Sequence, residues 1–176
     1  MMAGDMPVES DAPSLAGAFP EAQRVGETLR RRDLRVAVAE SCTGGLLGAA
    51  LTALPGSSDY VLGGVIAYSN ALKTALLGVP DETLQAHGAV SQEVAIAMAQ
   101  GARERLRVDI AVSITGVAGP GGESPAKPAG LIWLAVAGPQ PDALRTQRLD
   151  GDHGREGNRA AAVHAALRLL EEAAQQ

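Results

Sequence analysis

The sequence predicts an α/β domain in which helices cover both faces of a mixed β-sheet. Apolar segments typical of strands alternate with segments whose apolar residues recur at helical spacing, and this alternation is typical of layered α/β domains. Hydrophobic residues make up 46% of the 176 residues and charged residues 20%, as in soluble globular proteins. That length suits one domain whose core needs neither disulfides nor metals.

Each element is predicted from its own local pattern. The spacing of Ala22, Val25 and Leu29 predicts a first helix that begins after Pro20 and ends in an arginine cluster, where cations suit the helix dipole. Strands are predicted at residues 34–39, 61–68, 109–115, 131–137 and 144–149, and we expect the last two to pair antiparallel. Further helices are predicted at residues 44–54, 71–77, between Pro80 and Gly88, 91–106 and 158–172.

Composition excludes several functional classes. The chain has one Trp, two Tyr and one Phe, so it lacks the aromatic platforms on which single-stranded nucleic acids stack. Its net charge of −5 argues against nucleic acids and anionic membranes as partners. The N-terminus has no apolar core that would make a signal peptide, and no apolar run approaches the ~20 residues of a membrane helix. Together with a single cysteine, these features predict a cytoplasmic protein.

The chain divides into a short tail and one domain. Residues 1–18 are small, polar and rich in Pro and Gly, so we expect a flexible N-terminal tail. The domain is expected over residues 19–176, and we find no internal repeat within it.

Reactive and small residues meet where the first strand runs into a helix, in the order Glu40, Ser41, Cys42, Thr43, Gly44 and Gly45. Ligands of open α/β sheets gather at the carboxyl ends of strands, and a helix N-terminus offers free N–H groups to an anion. Glycines there let a substrate approach the backbone closely. The alternative is structural: Thr43 is the helix N-cap and the glycines relieve packing.

Established motifs do not fit this corner. A P-loop, a G-x-G-x-x-G fingerprint and a G-x-S-x-G elbow are all absent from the sequence. The histidines (His87, His153 and His164) are scattered and polar-flanked, which is more typical of turns and surfaces than of a catalytic base or a metal ligand.

A nucleophilic Ser41 would therefore need another base. Tyr68 and Lys73 follow a second strand end, and lysine serves as a base where burial lowers its pKa. Alternatively, Lys73 is solvated and Tyr68 lies at the edge of the core.

Five segments in order resemble the C-terminal domain family of the competence/damage-inducible protein CinA, whose members include nicotinamide-nucleotide amidohydrolases. The matching segments are AESCTGGLL (39–47), PGSSDYVLGGVIAYSNALKTALLGV (55–79), HGAVSQEVAIAMAQGARE (87–104), AVSITGVAGPGG (111–122) and KPAGLIW (127–133). The resemblance implies a three-layer α/β/α sandwich that forms a homodimer. It also implies hydrolysis of the carboxamide of nicotinamide mononucleotide to nicotinate mononucleotide and ammonia, without a metal or cofactor. Such a reaction belongs to pyridine nucleotide salvage.

The resemblance also assigns roles to residues. Ser41 takes the place of the nucleophile, and Lys73 with Tyr68 that of the base and proton-relay pair. We expect the backbone of Gly44 and Gly45 to expose N–H groups that donate to the oxyanion, and Glu40 to face the pyridinium ring. Further substrate-binding residues are expected at Thr43, Asn70, Thr115, Gly116, Ala118, Gly119, Arg155 and Arg159.

The sequence departs from the family near its end and leaves two questions open. The family's Gly-Asp-Arg followed by another arginine appears here as residues 151–159, two residues longer, so either Arg155 or Arg159 would hold the substrate phosphate. Cys42 is interpreted as a packing residue rather than a second nucleophile. Larger family members carry an N-terminal domain, whose activity is not expected of this chain. The alternative function is a non-catalytic binding module in DNA uptake or damage response.

Overall fold

A computed structural model describes residues 14–138, 140 and 143–176 of the chain. Most of the predicted N-terminal tail, residues 1–13, lies outside the described residues. The last residues of the predicted tail form a short helix, Leu15–Ala18 (α1), and the Ser14 side chain before it accepts a hydrogen bond from the N–H of Gly17.

Seven α-helices, one 3-10 turn and five strands are found in the described part of the chain. After α1 the order is α2 (Glu21–Arg31), β1 (Val36–Glu40), α3 (Leu46–Thr52), a 3-10 turn (Ser57–Asp59), β2 (Val61–Ile66), α4 (Asn70–Leu77), α5 (Asp81–His87), α6 (Gln92–Leu106), β3 (Ile110–Gly116), β4 (Ile132–Ala137), β5 (Arg145–Leu149) and α7 (Gly154–Ala174). Each predicted strand and helix is present, with bounds shifted by a few residues.

The strands form one mixed sheet in the order β2-β1-β3-β4-β5. β1 runs parallel to β2 and to β3, with Glu40 opposite Ile66 on one side and Ile114 on the other. β4 runs antiparallel to β3 and β5, as predicted for the last two strands. The carboxyl ends of β1, β2 and β3 therefore meet at one edge of the sheet.

Helices cover both faces, which confirms the three-layer α/β/α fold. α7 packs on β3, β4 and β5 together with α2 and α3, while α6 crosses the opposite face with α4 and α5 against it. Because strand side chains alternate, Val36 and Val38 enter the core beneath α7, whereas Ala37 and Ala39 enter the core beneath α6. None of the described helices is long and apolar enough to cross a membrane.

Two boundaries determine which residues reach the edge of the sheet. β2 ends at Ile66, so Tyr68 lies in the turn before α4, where the Ser69 side chain accepts a hydrogen bond from the N–H of Leu72. α7 begins at Gly154, four residues earlier than predicted. Arg155 and Arg159 are consequently one helical turn apart, at the end of α7 that approaches this edge.

Candidate active site

A pocket opens at the carboxyl ends of β1 and β3. Its walls come from Ser41 and Cys42 after β1, from Tyr68 and Lys73, from residues 89–90 before α6, from the end of β3 and the loop that follows it (115–119 and 121–122), and from Arg155. The pocket thus lies where the parallel strands end, as expected for ligand sites of open α/β sheets.

The nucleophile and base candidates are in direct contact inside this pocket. Lys73 is 1% exposed and Ser41 7%. Lys73 Nζ lies 3.1 Å from Ser41 Oγ, 2.8 Å from the carbonyl oxygen of Ala67 and 3.3 Å from that of Tyr68. The interpretation of Lys73 as a solvated surface lysine is wrong.

The surroundings of Lys73 favour its neutral form. Burial lowers the pKa of Lys73 because an ammonium group is costly to remove from water. In the described ranges no carboxylate forms an ion pair with Lys73. A neutral amine has two N–H donors and one lone pair, which matches two carbonyl acceptors and one hydroxyl. The lone pair can then accept the proton of Ser41, and the serine oxygen becomes a nucleophile suited to acyl transfer.

Backbone hydrogen bonds bring the two residues together. The N–H of Ser41 donates to the carbonyl of Ile114 at 3.0 Å, which extends the pairing of β1 with β3 past the end of β1. The N–H of Ala67 donates to the carbonyl of Glu40 at 2.8 Å and likewise extends the pairing with β2. Lys73 lies in the first turn of α4 and is aimed back at the end of β1.

Glu40 does not face the pocket, which corrects the prediction that it contacts a pyridinium ring. Its side chain is 0% exposed. Its carboxylate accepts hydrogen bonds from the N–H groups of Gly45 at 3.0 Å, Leu47 at 3.1 Å and Gly48 at 2.9 Å. Glu40 therefore caps the N-terminus of α3, where a negative charge suits the free N–H groups and the helix dipole.

The glycines of this corner shape the turn rather than bind an oxyanion. Gly44 and Gly45 have φ of +61° and +97°, a region that favours glycine. The Gly44 N–H donates to the carbonyl of Ser41 at 3.1 Å, and the Gly45 N–H is taken by Glu40. Thr43 is buried, and its hydroxyl has no hydrogen-bond partner among the described residues, so it is not the N-cap either. None of these three residues lines the pocket.

Tyr68 borders the pocket and is 59% exposed. Its main-chain carbonyl accepts from Lys73, while its hydroxyl accepts a long hydrogen bond of 3.5 Å from Arg155 Nη2. The structure thus brings the backbone of Tyr68 to the amine and its phenol to the arginine. The proton-relay role remains a prediction.

The two candidate arginines occupy different places. Arg155 lines the pocket, and its Nη1 donates to the carbonyl of Gly119 at 2.9 Å. Arg159 lies outside the pocket lining and donates from Nη2 to the carbonyl of Thr43 at 2.8 Å. Of the two arginines, Arg155 is the one that borders the pocket. Asn70, at the exposed start of α4, is also absent from the lining.

The end of β3 and the loop that follows it form the wall that was predicted to face the substrate. Thr115, Gly116, Ala118 and Gly119 all line the pocket. The Thr115 hydroxyl donates to the carbonyl of Ala89 at 2.8 Å and fastens this wall to the segment before α6.

Sequence reasoning missed Asn158, which is buried and donates from Nδ2 to the carbonyl of Ala118 at 3.1 Å. The signal was available, since Asn158 is a polar residue one helical turn before Ala162 on the inner face of α7.

Cys42 behaves as a packing residue. It is buried in the apolar core, and burial raises the pKa of its thiol to about 11, which keeps the thiol protonated. Among the described residues no histidine, aspartate or glutamate borders the pocket, whose ionisable side chains include the basic Lys73 and Arg155. Over the part of the chain that the structure describes, no cluster of His, Cys, Asp or Glu could hold a metal ion.

Comparison with known proteins assigns the family. The model of the CinA C-terminal domain matches residues 19–174. The chain belongs to the CinA C-terminal domain family. It is 54% identical over 144 residues to a CinA-like protein of Synechococcus sp. (strain RCC307), which covers 82% of the chain. It is 53% identical over 146 residues to a CinA-like protein of Mycolicibacterium paratuberculosis, covering 79% of the chain. The matched region spans about a third of each of these relatives, 34%.

Solved structures of the family share the fold over nearly their whole length. The competence/damage inducible protein CihA from Agrobacterium tumefaciens superposes with a TM-score of 0.85 at 42% identity, covering 90% of this chain and 96% of that one. A CinA superfamily protein from Klebsiella pneumoniae gives a TM-score of 0.85 at 35% identity, with coverages of 90% and 98%.

Proposed function

We propose that this CinA-family domain hydrolyses the carboxamide of nicotinamide mononucleotide to nicotinate mononucleotide and ammonia. The observation that carries the proposal is the contact of Lys73 Nζ with Ser41 Oγ at 3.1 Å, inside a pocket and without a carboxylate partner for the lysine in the described residues. A buried lysine that contacts a serine hydroxyl is an arrangement suited to nucleophilic attack on an amide.

In the first step Ser41 attacks the carboxamide carbon. As the bond from Oγ to carbon forms, the neutral amine of Lys73 takes the hydroxyl proton, and the amide oxygen carries the negative charge of the tetrahedral intermediate. When the intermediate collapses, the carbon–nitrogen bond breaks and the ammonium of Lys73 returns the proton to the leaving nitrogen. Ammonia departs and an ester joins the nicotinate carbonyl to Ser41.

In the second step water cleaves this ester. Lys73, neutral again after ammonia leaves, accepts a proton from water, and the resulting hydroxide adds to the ester carbon. Collapse returns the proton held by Lys73 to Ser41 and releases the carboxylic acid, which loses its own proton to water and leaves as the carboxylate. Tyr68, whose carbonyl holds the amine and whose phenol borders the pocket, is proposed to relay protons between the amine and the reacting groups.

The charge of the pocket supports an anionic substrate. Arg155 is placed at the wall of the pocket and suits a phosphate, since a guanidinium forms paired hydrogen bonds with phosphate oxygens. We propose that Arg155 binds the phosphate of the mononucleotide. The positive pyridinium then relies on the substrate's own phosphate and on aromatic Tyr68, because no acidic side chain in the described part of the chain lines the pocket.

We also propose that the domain functions as a homodimer. Leu62 and Ile66 on the edge strand β2, with Leu72 and Leu76 on the neighbouring α4, are exposed large apolar side chains. An edge strand flanked by apolar side chains is suited to burial against a second copy. The molar mass in solution, measured by light scattering, tests this proposal.

The reaction is tested by incubating the protein separately with nicotinamide mononucleotide, nicotinamide and the dinucleotide, and identifying products by mass. The mononucleotide should be converted fastest, because remote binding energy holds the amide in register with Ser41. Its product should be about one mass unit heavier, with the ribose retained and ammonia released. Release of free nicotinamide would instead indicate glycosidic cleavage. No turnover of any of these amides would favour a non-catalytic binding module.

A further inference from the structure

The wall of the pocket after β3 is held by α7 at two successive carbonyls. Asn158 Nδ2 donates to the carbonyl of Ala118 at 3.1 Å, and Arg155 Nη1 donates to the carbonyl of Gly119 at 2.9 Å. Both contacts turn carbonyl oxygens toward α7. Because Ala118 and Gly119 line the pocket that holds Ser41, the orientation of their peptide groups decides which main-chain atoms face a ligand.

The peptide bond between Ala118 and Gly119 is trans, like every other peptide bond in the described part of the chain. In a trans peptide the N–H points opposite to the C=O. With the Ala118 carbonyl turned toward α7, the Gly119 N–H is directed away from α7. The opposite face of the sheet is the one covered by α4 and α6, and the pocket-lining residues Lys73 and Ala89 lie on that side. The Gly119 N–H is therefore directed toward them.

The Gly119 N–H also has no protein acceptor among the residues described, whereas the N–H groups of Gly44 and Gly45 do. The next peptide offers no donor, because Pro120 lacks an N–H. Gly119 itself has a φ of +67°, and a Cβ there would lie 2.9 Å from the Cβ of Ala129. A side chain at position 119 would thus be strained and would clash with Ala129, so the position requires glycine.

We propose that the Gly119 N–H donates to the oxyanion of the tetrahedral intermediate, and that Asn158 is the positioning residue that orients this N–H. The inference rests on the proposed amidase function and assigns to the loop after β3 the role that the sequence had suggested for the glycines of the β1–α3 corner. A preorganised N–H donor is one of the main sources of rate enhancement in acyl transfer.

Asparagine is the side chain that this position requires. Asn158 is 1% exposed, and Nδ2 donates to both the Ala118 carbonyl and Asp152 Oδ1, the latter at 2.8 Å. Its Oδ1 accepts from the N–H of His153 at 2.9 Å. Donor and acceptor are both used, so the amide plane is fixed. An aspartate would keep the acceptor and lose the donor that holds Ala118.

The decisive experiment replaces the Gly119 N–H by an ester oxygen, using glycolic acid incorporated at position 119. We expect kcat for nicotinamide mononucleotide to fall about tenfold to a thousandfold, with KM within about twofold, since the donor acts on charge that develops in the transition state. Asn158→Asp should lower kcat at least about tenfold with KM equally unchanged, because it disorients the same donor.

The matched control is the same ester replacement at Gly130, whose N–H donates to the carbonyl of Val117 at 2.8 Å in the same loop. It disturbs the loop without removing a donor from the pocket, and kcat should stay within about twofold. An unchanged kcat for the Gly119 ester, or an equal loss for both esters, would overturn the inference. An inactive wild-type protein would instead overturn the proposed function, so the two failures are distinguishable.

Discussion

Lys73 Nζ and Ser41 Oγ lie 3.1 Å apart although the two residues come from separate elements, the first turn of α4 and the end of β1. Holding a lysine amine in a buried position without an anionic partner costs stability, because its charged form is removed from water. A leucine or methionine would fill the same volume without that cost. The arrangement is therefore better explained by chemistry than by packing.

The nucleophile is tested by Ser41→Ala compared with Cys42→Ala. Removal of Ser41 should lower kcat by on the order of a thousandfold or more, because the covalent intermediate can no longer form. Cys42→Ala removes a buried packing group and should reduce the melting temperature more than it reduces turnover. Ammonia release and thermal unfolding measure the two effects. A Cys42→Ala protein that folds normally but is inactive, beside an active Ser41→Ala protein, would reverse the assignment.

The base is tested by the pH dependence of kcat/KM. Since burial holds the pKa of Lys73 below its ordinary value of 10.5, activity should rise with pH through this lowered pKa as the amine becomes neutral. The Lys73→Met variant should have little turnover, and its remaining activity should no longer rise with pH in this range. If kcat/KM of this variant still rises with pH as in the wild type, the group that titrates is not Lys73.

The same lysine has an effect on stability with a defined sign. Below pH 10.5 the unfolded chain binds a proton that the folded chain binds less tightly, so the free energy of unfolding should rise with pH between the lowered pKa and 10.5. Lys73→Met should remove this dependence and stabilise the protein at neutral pH. Denaturant titrations at several pH values, on wild type and variant, measure the difference.

Local patterns were sufficient to predict the fold, because the spacing of buried apolar residues along the chain differs between helices and strands. β1 and β3 are short apolar runs bounded by turns, and the apolar spacing of α6 continues to Leu106. The start of α7 was misplaced because residues 154–157 carry no apolar stripe. Their helical state follows from tertiary contacts such as that of Arg155 with Gly119.

The site was predictable only where strand ends identify it. Ser41, Lys73 and the loop after β3 lie together because three parallel strands end at one edge. The role of Glu40 could not be read from its position, since sequence does not reveal whether a carboxylate turns toward solvent or folds back onto the next helix. Asn158 could be recognised in the sequence as a polar residue on the inner face of α7, but its partner, the carbonyl of Ala118, could not, because that group is 40 residues away in the chain.

Glu40→Gln tests the capping role. The variant keeps the size of the side chain but replaces a carboxylate oxygen that accepts N–H groups by an amide that donates, so we expect a loss of about 2 kcal/mol of unfolding free energy. KM for nicotinamide mononucleotide should stay within about twofold, because Glu40 does not reach the pocket. A raised KM with unchanged stability would restore the earlier interpretation of Glu40 as a partner of the pyridinium.

The roles of Arg155 and Arg159 are distinguished by comparing turnover of the mononucleotide with that of its riboside, which lacks the phosphate. Arg155→Ala should reduce the preference for the mononucleotide, measured as the ratio of the two kcat/KM values, by roughly tenfold to a hundredfold, the worth of charge-assisted hydrogen bonds. The ratio is the informative quantity because Arg155 also holds the carbonyl of Gly119, and disturbance of that loop would slow both substrates alike.

Arg159→Ala is the matched control, since it removes the same charge one helical turn away. Arg159 donates to the carbonyl of Thr43, and neither residue lines the pocket, so its loss should lower the melting temperature and leave the ratio of kcat/KM for the mononucleotide to that for the riboside unchanged. If the ratio falls in Arg159→Ala and is unchanged in Arg155→Ala, the phosphate is bound by Arg159. That outcome would also mean that the substrate phosphate binds outside the pocket that holds Ser41, since Arg159 does not line that pocket.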